Sequence, residues 1–225
     1  MTISEATIER YRKRLHAINA KAAEETQRYL ELHNFDVDDA FIQFAYGLTT
    51  KYGEAAGALA CQTYDELHEH WKTTNKVRKA IKPAEPASAA TLDEVRKAVY
   101  GSLTHTTKQI PGAVYKLVKQ AAEDTTVKNA VRDGAYFAWI PSGDSCAFCL
   151  MLAGNGFVRA SKNTLKKGHV EHIHANCDCT FAVSFDADAR VGGYEPSKYQ
   201  NIYKATKGDN YKEKLANMRQ DLNIK

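Results

Sequence analysis

The chain has 225 residues, of which 44% are hydrophobic and 26% charged, with five prolines and thirteen glycines. That composition predicts a folded globular protein with a real core and excludes disordered, collagen-like and disulfide-dense classes. No run approaches the roughly eighteen apolar residues of a membrane span, and residues 1–6 lead straight into charged helical sequence without a signal-type apolar stretch, so synthesis and folding in a cytosol, with no membrane, is expected. The net charge is +4, and Arg190 to Lys225 carry all of it, with eight lysines and arginines against four acids.

In chain order, Ile8, Tyr11, Leu15, Ile18, Ala22 and Tyr29 recur at steps of three and four and predict an amphipathic helix over residues 2–33. Thr2 and Glu5 have the spacing of a capping box. After a break at Asn34 to Asp36, Phe41, Phe44, Leu48, Tyr52, Leu59, Leu67 and Trp71 continue a helical pattern, with an interruption expected near Gly53 or Gly57. Two such helices joined by a short turn predict an antiparallel hairpin over residues 1–82.

Residues 83–90 hold prolines and little to bury, and read as a linker. Thr91 and Glu94 repeat the capping-box spacing, and Val95, Val99 and Leu103 carry a helix that Pro111 is expected to end or kink. A further helix is predicted over 112–132, so that 91–134 form a helical connector. Beyond Gly134, the runs 136–140, 156–160 and 180–185 are aromatic or β-branched and bounded by turn residues, which predicts strands in a small α+β module over 135–190. From Pro196 the pattern is helical again, with a break at Gly208 inside a basic tail, 191–225. The predicted class is α+β, mainly α.

Chemistry concentrates in one segment. Cys146 and Cys149 form a C-x-x-C; after 24 residues come His174, Cys177 and Cys179 in the order H-x-x-C-x-C. A C-x-x-C turn brings two sulfurs onto one tetrahedral ion, and a second knuckle of His and Cys completes the four N and S ligands preferred by structural zinc. Five candidates compete for four places. Cys146, Cys149, His174 and Cys177 are the first choice, with Cys179 a substitute ligand or a buried thiol. Disulfides are disfavoured in a cytosol. Cys61 stands alone on a helical stretch and reads as core packing, while His16, His33, His68, His70 and His105 read as surface or capping residues. The Asp186 and Asp188 pair reads as a turn feature.

His169 and Glu171 form an H-x-E, which together with the C-x-x-C suggests a zinc deaminase. The order is inverted relative to that signature, however, and His174 and Cys177 would close a shell that catalysis needs open. There is no phosphate-cradling glycine loop and no nucleophile elbow.

The run Trp139 to Gly154, followed by Gly156 to Arg159 and closed by His174 to Cys179, resembles the core of the phage Mu F-like minor head proteins. The shared features are a C-x-x-C-x-x-L pattern and a closing H-x-N-C-x-C. The likeness is sharp over residues 136–185. Ala175 and Asp178 stand where many members have Pro and Arg, which is similar to the actinobacteriophage branch. The resemblance implies a non-enzymatic minor component of a tailed-phage head, in the capsid interior of the virion and in the host cytoplasm during assembly. Its implied partners are the portal and other head proteins, possible self-association included, and its zinc (Zn2+) is structural. Tyrosines and lysines alternate in the tail and suit nonspecific contact with DNA phosphates, although the same pattern fits a solvated helical face with inward tyrosines. Two other functions remain open on the residues alone: a zinc-dependent nucleic-acid hydrolase, deaminase-like enzyme or toxin, which needs an open metal position, and a DNA-binding zinc module, which needs strong salt-dependent duplex binding.

Overall fold

In the computed structural model, residues 2–77, 80–103, 106–143, 145–161, 163 and 179–224 are described. The chain opens with β1 (Thr2–Ile3), α1 (Glu5–Leu32) and α2 (Asp39–Thr74). The cap of α1 is Ser4, whose hydroxyl accepts from the Thr7 amide at 3.1 Å. The expected Thr2 and Glu5 box is therefore not the one used. Thr2 is extended instead, because β1 pairs in parallel with β5 (Arg190–Val191) and buries Ile3. One face of α1, from Ile8 through Tyr11, Leu15 and Ala22 to Leu30, is buried at helical spacing. The chain then reverses through Asn34 and Phe35, both at positive φ, and Asp38 caps α2 by accepting from the Phe41 amide.

Helix α2 runs unbroken through Gly53 and Gly57, against expectation. The glycines permit close approach rather than a break. A Cβ on Gly53 would lie 3.0 Å from that of Ala89 and 3.5 Å from that of Ala121, and one on Gly57 would lie 3.3 Å from the Thr125 hydroxyl. Tertiary contact here overrides the roughly 1 kcal/mol propensity cost of each glycine.

The proline-containing segment 83–90 is the strand of chain that fills this approach. Its amides at Ala84, Glu85 and Ala87 donate to the side chains of Asp65, Asn129 and Thr125. Asn129 and Arg132 return bonds to the carbonyls of Glu85 and Pro83. The segment is thus strapped across α2 and the helix α4 (Ile110–Asp133). Between strap and α4 lies α3 (Leu92–Leu103), which carries the expected capping box: the Thr91 amide donates to Glu94 at 2.7 Å, and the Glu94 amide to the Thr91 hydroxyl at 3.3 Å. Pro111 opens α4 instead of ending a helix, since a first-turn position has no amide bond to lose. Helix α4 packs on α1, α2 and α3, and Val114, Val118 and Ala122 join Phe41, Ile42 and Val95 in one apolar cluster. Gly134, left-handed at φ 64°, closes it.

The second layer is a sheet of order β3-β2-β4, built from β2 (Tyr136–Ile140), β3 (Val158–Arg159) and β4 (Thr180–Ser184), all antiparallel. In the β2 and β4 register, Tyr136 faces Ser184 and Ile140 faces Thr180. Every residue of β4 is buried, since α2 and α4 pack against it. Phe181 meets Phe137 and Trp139 edge-on at 5.3 and 4.5 Å. Between β2 and β3 stands a short helix, α5 (Ala147–Ala153). The tail forms α6 (Pro196–Ala205) and α7 (Tyr211–Asp221), both packed on α5, with Leu215 and Met218 buried against Ala147. Tyr194 is buried and donates to the Ala153 carbonyl at 2.6 Å, whereas Tyr211 is exposed. At Asp186 the side chain accepts from the Asp188 amide, the turn expected of that pair. The fold is α+β and mainly α.

Candidate metal centre

Cys146 is the N-cap of α5, and Cys149 lies in its first turn. Cys179 immediately precedes β4. The three are buried, at 5%, 1% and 1% exposure, in the same apolar cluster as Trp139, Phe181 and Leu152. The fold therefore draws both ends of the predicted cysteine pattern to one region between α5 and the sheet. His174 and Cys177 lie outside the described residues, as do His169 and Glu171. Among the described residues no group of three or more His, Cys, Asp or Glu side chains is placed to hold a metal. The three described thiols are thus no ligand set by themselves, and a four-ligand shell requires the His174 and Cys177 knuckle.

Cys179 has neighbours of its own. Its sulfur is 3.1 Å from the Ser145 hydroxyl, whose one proton goes to the Ser142 carbonyl at 2.7 Å, so the thiol is the donor to Ser145. Its carbonyl accepts from the ammonium of Lys119, a buried residue of α4. The site is in this way fastened to the helical layer through a lysine that sequence periodicity alone does not mark as internal. Cys61 sits half-buried on α2, apart from this cluster, and burial raises its thiol pKa. Of the histidines, His16 is 3.2 Å from the Tyr115 hydroxyl, His33 stacks on Tyr29, His68 stacks on Phe185, and His70 is exposed.

Beside the cysteines is a polar pocket that the sequence reading did not find. Glu123 is fully buried, and its two carboxylate oxygens have no hydrogen-bond partner among the described residues; the same holds for the side-chain amide of Asn19, and the buried Tyr11 and Thr180 hydroxyls lie beside each other. Arg12, Asn19, Lys119, Cys179 and Thr180 line an adjoining cavity of about 10 Å3, near the size of one water. Loss of solvation pushes the Glu123 carboxyl up to about 8, against a partial opposing pull from Lys119. Burial likewise raises the Tyr11 phenol, and the Glu123 charge adds to it. The signal available in the sequence was the i, i+4 spacing of Lys119 and Glu123 within a helix whose other positions are mostly apolar or small.

Among the described residues no helix is long and apolar enough to cross a membrane. No curated protein and no solved structure matches the chain. The family described as VG15 protein matches residues 2–206, from β1 through the last turn of α6 and including the whole cysteine segment. The chain belongs to this VG15 protein family, a family of viral gene proteins.

Proposed function

We propose that this VG15-family chain is a minor head protein of a tailed phage, of the Mu F-like kind, that docks at the portal and procapsid interior during head assembly. Its role in this reading is structural, with no catalytic residue. The observation that carries it is a coincidence: the viral family spans nearly the whole chain, and within it the C-x-x-C and the closing cysteine of the head-protein pattern meet in one buried cluster. One structural zinc belongs to the proposal, held by Cys146, Cys149, His174 and Cys177, with Cys179 left as the buried thiol bonded to Ser145. Two thiolates at the start of α5 and a His and Cys pair before β4 suit the ion's preference for four N and S ligands, and the bound ion would supply a cross-link between those two segments. The apolar surface that docking needs is present at the hairpin turn, where Leu32 is 74% exposed and Phe35 is also exposed.

The test is incorporation into particles. Purified heads of the encoding phage should contain the chain together with portal protein, and Leu32→Asp with Phe35→Asp should leave it folded but absent from heads. A chain found only in the host lysate, or a double variant incorporated at the wild-type level, would contradict the reading.

A further inference from the structure

At its C-terminal end α2 borders a groove of about 430 Å3 that neither the family nor the proposed zinc site accounts for. Lys76 adopts a left-handed conformation at φ 53°, and the Val77 amide bonds back to the Lys72 carbonyl at 2.9 Å. Val77, Ala80 and Ile81 line the groove. Three aromatic rings line it as well. His68 and Phe185 stack at 3.8 Å and 10°, and Trp71 tilts against both at 5.8 and 5.6 Å. The His68 Nδ1 is buried with no hydrogen-bond partner among the described residues. Desolvation lowers the His68 pKa, which keeps the ring neutral at physiological pH.

The rim is positive. Lys72, Lys82 and Arg132 line the groove, with Asp133 the acid among the lining residues. Of the cations that line the groove, Arg132 is consumed by a two-pronged bond to Asp133, which also accepts from Tyr64. Among the described residues, Lys72 and Lys82 form ion pairs with Glu69 and Glu85, each three residues away and exposed to solvent. Such pairs are weak and screened, and an incoming anion displaces them readily.

We propose that this groove binds single-stranded nucleic acid, seating one unpaired base against Trp71, His68 and Phe185 while Lys72 and Lys82 neutralise the adjoining phosphates. The volume falls in the range of a small-ligand site. Flat ring faces beside a positive track are the combination that single-strand binders use, and a base inside a duplex cannot enter such a pocket. An acidic peptide would engage the charges but leave the rings unused, so the aromatic wall favours nucleic acid. This site is separate from the tail, and it stands whether or not the head-protein reading does.

The test is fluorescence anisotropy of the full chain with labelled oligothymidylate, a duplex of matching length and oligoglutamate as probes. Oligothymidylate should bind about tenfold more tightly than the duplex and measurably where oligoglutamate does not. Trp71→Ala should weaken it about tenfold, the worth of one stacked base, and Trp71→Phe should restore most of the loss. Lys72→Glu with Lys82→Glu should weaken binding and flatten its salt dependence by about one to two counterions. The tail pair Lys212→Glu with Lys214→Glu should leave it unchanged. Circular dichroism checks the fold of each variant, and the lysine pair decides if Trp71→Ala does not fold. Equal affinity for oligoglutamate, equal affinity for duplex, no binding at all, or sensitivity confined to the tail pair would overturn the proposal.

Discussion

Replacing Glu123 by Gln is expected to stabilise the protein at alkaline pH and to leave it nearly unchanged in acid. The carboxyl is fully enclosed, and burial carries it from an ordinary 4.5 to about 8 in the folded state. Lys119, one turn earlier, opposes this only partly, its attraction being smaller than the cost of burial. Asp124, Cys179 and Tyr11 add negative or potentially negative neighbours from α4, the start of β4 and α1. A group with a raised folded pKa binds its proton in the native state and releases it on unfolding. Its stabilising contribution is therefore complete below about 4.5, falls as pH rises, and is gone above about 8. A shift of this size corresponds to a loss on the order of 5 kcal/mol across that window. Glutamine has the shape of the neutral acid and no proton to lose, so the stability difference between Glu123→Gln and wild type should grow from near zero at acid pH to most of that amount above pH 8. Urea unfolding at a series of pH values measures it. A variant less stable than wild type at high pH would mean instead that Glu123 is ionised and held by Lys119.

Two glycines of the same helix should respond with opposite signs. Gly47 lies on an exposed position of α2 with nothing within 4 Å of a built Cβ, so Gly47→Ala should gain about 1 kcal/mol from helix propensity alone. Gly53 faces the strap, with the Ala89 methyl only 3.0 Å from a built Cβ. Gly53→Val should push the strap off the helix and strain the bonds that hold Ala84, Glu85 and Ala87, at a cost of about 1–3 kcal/mol. Thermal unfolding should separate the pair by several degrees, and protease cleavage within 83–90 should accelerate only in Gly53→Val. Equal and favourable effects at both positions would mean that the strap is not packed against α2.

That contrast also explains what the sequence could disclose. Strands β2 and β4 were legible almost to the residue, because aromatic and β-branched runs bounded by turn residues are a local signal. The Thr91 and Glu94 cap was legible for the same reason. Gly53 and Gly57 misled because their partners, Ala89, Ala121 and Thr125, are distant in sequence, and a glycine chosen for close approach looks like a glycine that breaks a helix. Pro111 misled because one residue can start a helix or stop one. Helix α5 was not anticipated: its seven residues have no polar face, and it begins inside the C-x-x-C, which reads as a turn. The two-residue strands β1 and β5 are too short for periodicity to mark. At the candidate site, spacing identified the cysteines, and the fold brings three of them into one buried cluster. The bonds from Ser145 and Lys119 to Cys179 arise from packing between helix and sheet, which no local pattern encodes, and the enclosed Glu123 left only its i, i+4 spacing from Lys119 as a trace.

We propose a closed zinc clamp in the cysteine segment, and zinc per chain measures it most directly. Elemental analysis of the protein purified under reducing conditions should give about one zinc per chain. Cys146→Ala and His174→Ala should lose the metal along with the folding of the α5 region, while Cys179→Ala should keep it. A wild-type chain without zinc, or His174→Ala with its zinc intact, would contradict the account.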